Sequence, residues 1–460
     1  MSVRSDPYRR RWLVWAILAA GFLLVNVYRL STGVLTDDLA RLYDATATEI
    51  GTLHAAFFYI YAPLQIAAGV LADRAGIRRS ATVGVGLMSL SGFAFALAPT
   101  YLVAFGARVG IGLGASVVFI TTLRFCANWF RPNEFATVGG LTVAVAGLGG
   151  VLATTPLALA VGTVGLRATL VGLSTVGLVI AATIALLARD SPADAGLPAI
   201  EGVPASRSLT LGEVLRSVRT VLEERETWLV AGVMFCTIGV NITVLGAWAV
   251  PYVAQVYGLS VTRASTFALA GSIGLLLGPP LIGRLSDATG RRTGLMVVGA
   301  LAFAASYGAL ALLRLPLLAV GGVFFLASAT GGASSLSYTV IKERHAAAAS
   351  GVATGLVNTG GFLGAAVFPT VMGALLDSYW TGRVVGGARV YAPAGFQAVF
   401  GLAAGAGLLA LACAAWLHWR GRHEVGARGE KPTEEGPTRT PGETDPETET
   451  QAGTEVRTDD

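Results

Sequence analysis

Long apolar segments alternate with short polar ones along most of the chain. A helix that crosses a membrane takes about 20 predominantly apolar residues, and on that measure about twelve segments qualify. They run over 12–34, 50–71, 80–98, 101–126, 136–160 and 168–188, then over 228–250, 263–282, 294–313, 317–340, 350–374 and 396–418. The pattern predicts an all-α membrane protein of twelve transmembrane helices in two pseudo-symmetric six-helix halves, 1–188 and 228–419. Between the halves lies 189–227, the longest internal polar stretch. Its Leu209 to Glu226 portion mixes helix formers with both signs of charge and predicts an amphipathic helix on the membrane surface. The tail, 420–460, is Thr, Glu, Pro and Gly with almost no large apolar side chain, a composition that predicts disorder.

The polar breaks carry a repeat. Gly69-Val-Leu-Ala-Asp73-Arg74-Ala-Gly76-Ile-Arg78-Arg79 follows the second segment, and Gly283-Arg-Leu-Ser-Asp287-Ala-Thr-Gly290-Arg291-Arg292 follows the eighth. The Gly, Asp and Gly of the two copies are each 214 positions apart (283 − 69). A polar turn duplicated inside a duplicated helical array implies two repeats with a working site between them.

Composition agrees with a membrane solvent: 53% of residues are hydrophobic and 13% charged, with a mean hydropathy of +0.64. The 59 glycines lie mostly within the apolar runs, where small residues let helix backbones approach. Cys126, Cys236 and Cys413 have neither metal nor redox spacing and read as small core residues. The net charge of +5 does not indicate nucleic acid, because the basic residues collect at the edges of the spans. One set of loops holds Arg9 to Arg11, Arg74, Arg78, Arg79, Arg131, Arg189, Arg216, Arg219, Arg291, Arg292, Lys342 and Arg344; the opposite set holds few. The rule that basic loops stay inside then puts both termini in the cytoplasm and the protein in the cell membrane. Arg9 to Arg11 before the apolar run from Trp12 superficially resemble a secretion signal. The run is too long and has no small-residue cleavage site, so it reads as the first transmembrane helix.

No phosphate-binding loop, metal-ligand cluster or catalytic triad is legible, so an enzyme, a cofactor and a metal are not expected. The charges inside the spans are more informative. Arg29 sits among Asn26, Tyr28 and Ser31; a charge in a span costs roughly 3 kcal/mol on insertion scales and normally faces a cavity or a partner. A guanidinium binds carboxylate or phosphate with two parallel hydrogen bonds. Snorkelling toward Asp37 or Asp38 is the plainer alternative. Arg124 lies near the other end of span four, placed either in the pathway or among headgroups. Tyr59, Tyr61 and Gln65 in span two, Asn241 in span seven and Asn358 in span eleven are further pathway candidates, since lipid cannot satisfy them. Helix-packing contacts explain any one of them equally well. No Asp or Glu lies deep in a span, which favours an anionic small molecule over a cation. His54 is the only other embedded titratable group. Gly147, Gly149 and Gly150, and Gly360, Gly361 and Gly364, followed by Pro156 and Pro369, read as kinked moving parts between the halves.

Twelve spans, a long central loop and the two polar turns resemble the major facilitator superfamily over about residues 10 to 420. Arg108-x-x-x-Gly112-x-Gly114 resembles a further motif of that family. The resemblance implies secondary transport by alternating access, with Arg108 linked to coupling. It also implies a cytoplasmic gate made of Gly69, Asp73, Arg74, Gly76 and Arg78 with Gly283, Asp287, Gly290, Arg291 and Arg292, in which the Asp faces a helix N-terminus. Within the family, Tyr28-Arg29-x-Ser31 and Trp129-Phe130-Arg131 resemble the organophosphate and organic-anion permeases, although span seven offers no second Arg. The Gly-Pro pair of the drug antiporters is absent from span five. The expected partners are an anionic solute and the lipid bilayer, with the chain acting as a monomer. A drug or cation exporter of the same fold, and a transporter-like ligand sensor, remain open alternatives.

Overall fold

In the computed structural model of this chain, which describes residues 6–198, 200–203, 219–344 and 347–429, nearly all of the structure is helical. The first half contains α1 (Pro7–Leu30), α2 (Thr32–Tyr43), α3 (Ala47–Ala75), α4 (Ile77–Ala96), α5 (Tyr101–Ala115), α6 (Val118–Trp129), α7 (Pro132–Leu152), α8 (Thr155–Val164) and α9 (Leu166–Leu187). The second half contains α10 (Arg225–Thr243), α11 (Ala249–Tyr257), α12 (Val261–Thr289), α13 (Arg292–Leu312), α14 (Leu317–Gly331), α15 (Leu336–Arg344) and α16 (Ala347–Asp377). A β-hairpin, β1 (Trp380–Val385) and β2 (Ala388–Tyr391), precedes the last helix, α17 (Pro393–Gly429). Met1–His418 forms one compact unit and Trp419–Asp460 another, of which the described part is the helical stretch to Gly429.

Among the described residues, ten helical stretches have the length and hydropathy to cross a membrane. Helices α3 and α4 stand at the two remaining positions of the sequence pattern, so twelve spans are consistent with the structure. Several spans are built from two helices. Span four breaks between α5 and α6, and span ten passes through a tight turn at Gly332–Ser335. Span seven loosens into a wider turn at Val244–Trp248. Such turns inside a helix change which side chains face inward and recur at functional positions.

Three expectations need correction. The two prolines do not act alike: α7 ends before Pro156, which sits in the first turn of α8, whereas α16 runs unbroken through Pro369. The glycine runs mostly pack inside their own halves. A Cβ on Gly149 would stand 2.5 Å from the Leu23 carbonyl oxygen, and one on Gly364 would stand 2.2 Å from that of Phe235. Only Gly147, against Leu276, faces the other half. Arg225 and Glu226 open α10 rather than ending a surface helix; 219–223 of that predicted helix is helical, and 204–218 lies outside the described residues. The predicted disordered tail beyond Gly429 lies outside them too. Within this all-α fold one short hairpin intervenes between α16 and α17: the Gly386-Gly387 pair, with φ of 59° and 82°, closes it with Val385 opposite Ala388. Both glycines must adopt positive φ, which suits the tight turn whose twist matches the strands.

The two halves approach most closely along α3 and α16, which run antiparallel. A Cβ on Gly51 would lie 2.1 Å from the Pro369 carbonyl oxygen, and one on Gly373 2.3 Å from that of Ala47. The bundle thus has a hairpin end, where α3 starts and α16 finishes, and a turn end, where α3 and α12 finish in the two polar turns.

Candidate functional site

Arg29 sits at the boundary between the halves. It lies in the last turn of α1, and its Nη1 donates to the Asn26 side-chain oxygen three residues back, at 3.1 Å. Asn26 is held in turn by its own bond to the Phe22 carbonyl at 2.8 Å. The guanidinium lies 4.9 Å from the ring of Tyr61 on α3 and 4.9 Å from the ring of Phe362 on α16, with Phe57 at 5.8 Å. The rings therefore come from both halves. Nε and Nη2 are buried and have no hydrogen-bond partner. These two atoms form one edge of the planar fork, the edge that meets a carboxylate with two parallel bonds.

A polar layer lies next to this clasp. Gln65 is one helical turn from Tyr61 on α3, and Asn358 one turn from Phe362 on α16; both steps lead toward the turn end. The Asn358 amide donates to the Gln65 side-chain oxygen at 3.2 Å, crossing between the halves. Tyr338 of α15 donates to the Asn358 oxygen at 2.6 Å. Gln65 donates back to the Tyr61 carbonyl at 3.4 Å. Arg29, Asn26, Tyr61, Gln65 and Asn358 are thus brought into one cluster.

The remaining candidates lie elsewhere. Tyr59 is 42% exposed, and its hydroxyl reaches Thr370. Arg108 is wholly buried and fully engaged, donating to the Leu53 and Tyr28 carbonyls at 3.3 and 2.9 Å and to the Thr32 hydroxyl at 2.8 Å. His54 is buried with both ring nitrogens unpartnered; its ring lies against Gly246 in the wide turn of span seven. Asn241 is buried without partners beside Gly331. Arg124 is half-buried on α6.

A family model described as Major Facilitator Superfamily matches residues 17–277 and 230–445. The chain belongs to the Major Facilitator Superfamily. Among curated relatives it is 25% identical over 388 residues to the probable sulfoacetate transporter SauU of Cupriavidus necator, covering 80% of this chain and 88% of that protein. It is also 25% identical over 276 residues to a probable chloroplastic anion transporter of Oryza sativa, covering 58% of this chain and 51% of that one. Among solved structures, a bacterial homologue of the human lysosomal transporter Spinster, inward-facing and occupied, superimposes with a TM-score of 0.69. That match is at 17% identity over 90% of this chain and 98% of the other. The chain is a multi-pass membrane transporter of this superfamily, not an enzyme.

The superfamily's polar turns are placed as follows. Gly76 has φ 79° and precedes α4; the Asp190 carboxylate stands where its Cβ would be. Asp190 accepts from the backbone N–H of Arg78 at 2.8 Å, and the Arg78 side chain bonds the Ala185 carbonyl at 2.7 Å. Asp190 therefore caps α4, a role that nothing in the sequence pattern singled out. Arg74 is exposed, and the surroundings of Gly69 and the Asp73 side chain lie outside what the structure describes. In the second copy Gly290 has φ 65° and ends α12. Gly283 faces open space, Asp287 and Arg291 are exposed, and Arg292 is half-buried.

At the hairpin end, a carboxylate bridges the halves of this superfamily member. Asp377, at the end of α16, accepts from the backbone N–H groups of Ala47 and Thr48 at 2.9 and 2.8 Å and from the Thr48 hydroxyl. Thr46 and Glu49 close a reciprocal cap on the same helix start, at 2.8 and 3.1 Å. The exposed donors of the first turn of α3 are thereby satisfied, one set from within and one from the other half. Tyr391 of β2 donates to Asp377 at 3.2 Å, and burial together with that carboxylate pushes its phenol up from the ordinary value. Nearby, burial and the adjacent Asp38 raise the Asp37 carboxyl, while Arg41 opposes them.

Proposed function

We propose that this chain is a secondary active transporter of small organic anions, working by alternating access between its halves, with Arg29 as the anchor for substrate. The observation that carries this reading is the buried, unpartnered edge of the Arg29 guanidinium. Burying a charge is costly unless something pairs with it. The aromatic rings around Arg29 offer a partial compensation of about 2 kcal/mol or more when desolvated. An oxyanion supplies the rest. The place is also right: the rings belong to α3 and α16, so a bound anion is gripped by both halves and its grip changes when they move. The relatives named as anion and sulfoacetate transporters support the same substrate class.

The halves are 1–188 and 228–419, joined by a cytoplasmic loop at 189–227 and followed by a cytoplasmic tail at 420–460, with the turn end facing the cytoplasm. The protein acts as a monomer in the cell membrane. Asp73 and Asp287 belong to the cytoplasmic gate. His54, with both ring nitrogens unpartnered, is the coupling candidate, while Arg108, engaged in three bonds, is read as holding the first half together. The test is uptake into proteoliposomes loaded with the protein and offered radiolabelled sulfoacetate, then a panel of carboxylates. Arg29→Ala should raise the half-saturating concentration by roughly one to two decades, and Arg29→Lys should recover only part of this, since an ammonium lacks the planar fork. Saturable uptake that is identical in all three proteins would remove Arg29 from the pathway. Orientation is tested separately: Gly387→Cys should react with an impermeant thiol reagent on intact cells, and Ser208→Cys should not.

A further inference from the structure

We infer that the polar layer of Gln65, Asn358 and Tyr338 is the second half of the binding site. It reads a neutral hydrogen-bonding group, so the preferred substrate is a monoanion carrying a hydroxyl and not a dianion. This rests on the reading of Arg29 as the anion anchor.

The two layers are set by helix geometry. Tyr61 to Gln65 and Asn358 to Phe362 are each four residues, a rise of about 6 Å. A molecule held by the Arg29 edge therefore presents its other end to the amide layer when it is a few carbons long. The groups there are all uncharged. Tyr338 donates into Asn358, which turns the Asn358 amide nitrogen toward Gln65. Each amide nitrogen carries two hydrogens, and the described bonds use one of each. One donor on Asn358 and one on Gln65 stay available, and the Tyr338 oxygen can still accept. Such a set satisfies a hydroxyl, which both donates and accepts. A second carboxylate or sulfonate arriving here would lose its hydration and meet three uncharged groups in its place. Arg108 is closed off by its own three bonds.

Tyr338 is then a positioning residue. Without its hydroxyl the Asn358 amide is free to turn over, and the layer loses its fixed pattern of donors while keeping its shape.

Binding to the purified full-length protein should be measured by calorimetry with three probes. D-Gluconate is a monoanion with hydroxyls, butyrate a monoanion without them, and sulfoacetate a dianion. Gluconate should bind about tenfold more tightly than either of the others, the scale of one or two net hydrogen bonds. Tyr338→Phe should shrink the gap between gluconate and butyrate severalfold while leaving butyrate unchanged. A loss that fell equally on all three probes would mark Tyr338 as structural and overturn the inference. So would gluconate binding that is undetectable or no tighter than sulfoacetate. The anchor is judged independently, because Arg29→Ala should weaken every probe that binds. If sulfoacetate wins and still needs Arg29, only the polar layer has been misread. If no probe needs Arg29, the anchor has failed and the inference with it.

Discussion

Three guanidiniums are buried in the first half: Arg11 is paired with the Glu134 carboxylate, and the other two, Arg29 and Arg108, have opposite fates. Arg29 is 8% exposed and Arg108 1%. Arg108 donates from all three of its nitrogens to partners on α1, α2 and α3, with the Phe95 ring at 5.6 Å. It staples helices of one half together. Arg29 makes one short-range bond to Asn26 and leaves two nitrogens idle between rings drawn from both halves. Burial is therefore a poor guide to function for a charge in a membrane protein. What separates the two is the state of their hydrogen bonds. A satisfied guanidinium holds structure, and the unsatisfied one between rings of both halves is where we place the oxyanion of the solute.

The largest effect should come from the idle one. Arg29→Ala should cost substrate affinity one to two decades, since charge-assisted bonds are worth about 1.5–3 kcal/mol. The same change should leave thermal stability unchanged or improved, because it removes an uncompensated buried charge. A melting point that fell together with affinity would show that Arg29 is structural after all.

Arg108 should behave in the reverse way. Arg108→Leu leaves the Tyr28 and Leu53 carbonyls without a donor that now reaches them, at a cost of about 1–3 kcal/mol. The melting temperature should drop while the protein that remains folded keeps substrate affinity within about threefold. Unchanged melting with altered affinity or coupling would move Arg108 back into the transport pathway.

The sequence made both arginines visible and could not tell them apart. Spacing placed Arg29 and Arg108 in spans because intramembrane charge is rare, but the partners of Arg108 are backbone carbonyls and a hydroxyl far away in the chain. The repeat of polar turns was legible, and both Gly76 and Gly290 do take the positive φ that a tight turn demands. The capping box of Thr46 and Glu49 was readable from its spacing, as was the Gly386-Gly387 hairpin from its flanking valines; neither was read, since apolar length dominated the pattern. Asp190 and Asp377 were not legible as caps. Their partners are helix starts more than a hundred residues away, and only the fold brings them together. The aromatic clasp had a faint signal: Tyr61 with Gln65, and Asn358 with Phe362, each share a helix face at a spacing of four.

A smaller effect is expected where the halves meet outside the Arg29 site. Asp377→Asn keeps the side-chain shape but removes the charge facing the start of α3. Contacts of a carboxylate with a helix N-terminus are worth up to about 2 kcal/mol in partly buried settings. The balance between conformations should shift by roughly threefold to tenfold toward forms opened at the hairpin end. Spin labels on Thr52 and Thr370, which lie across that boundary, would report it as a longer distance distribution. An unaltered distribution would mean that the close backbone contacts of Gly51 and Gly373 hold that end without the carboxylate.

The smallest effect tests the boundary of the site itself. Tyr59 was a pathway candidate on the same footing as Tyr61, two residues away on α3. Two residues turn a helix by about 200°, so the two side chains leave opposite sides of it. Tyr61 is 1% exposed and touches the guanidinium; Tyr59 is 42% exposed, with its hydroxyl on Thr370 and its ring 6.4 Å from Phe105. Tyr59→Phe deletes one hydrogen bond at an exposed position, so substrate affinity should change by less than about twofold. Tyr61→Leu, which strips a ring from Arg29, should cost several times more, because cation–π contacts in desolvated settings reach about 2 kcal/mol. Parallel uptake curves for the two variants settle the point. If Tyr59→Phe proves as damaging as Tyr61→Leu, the solute passes along the opposite face of α3, and the clasp around Arg29 is not where it binds.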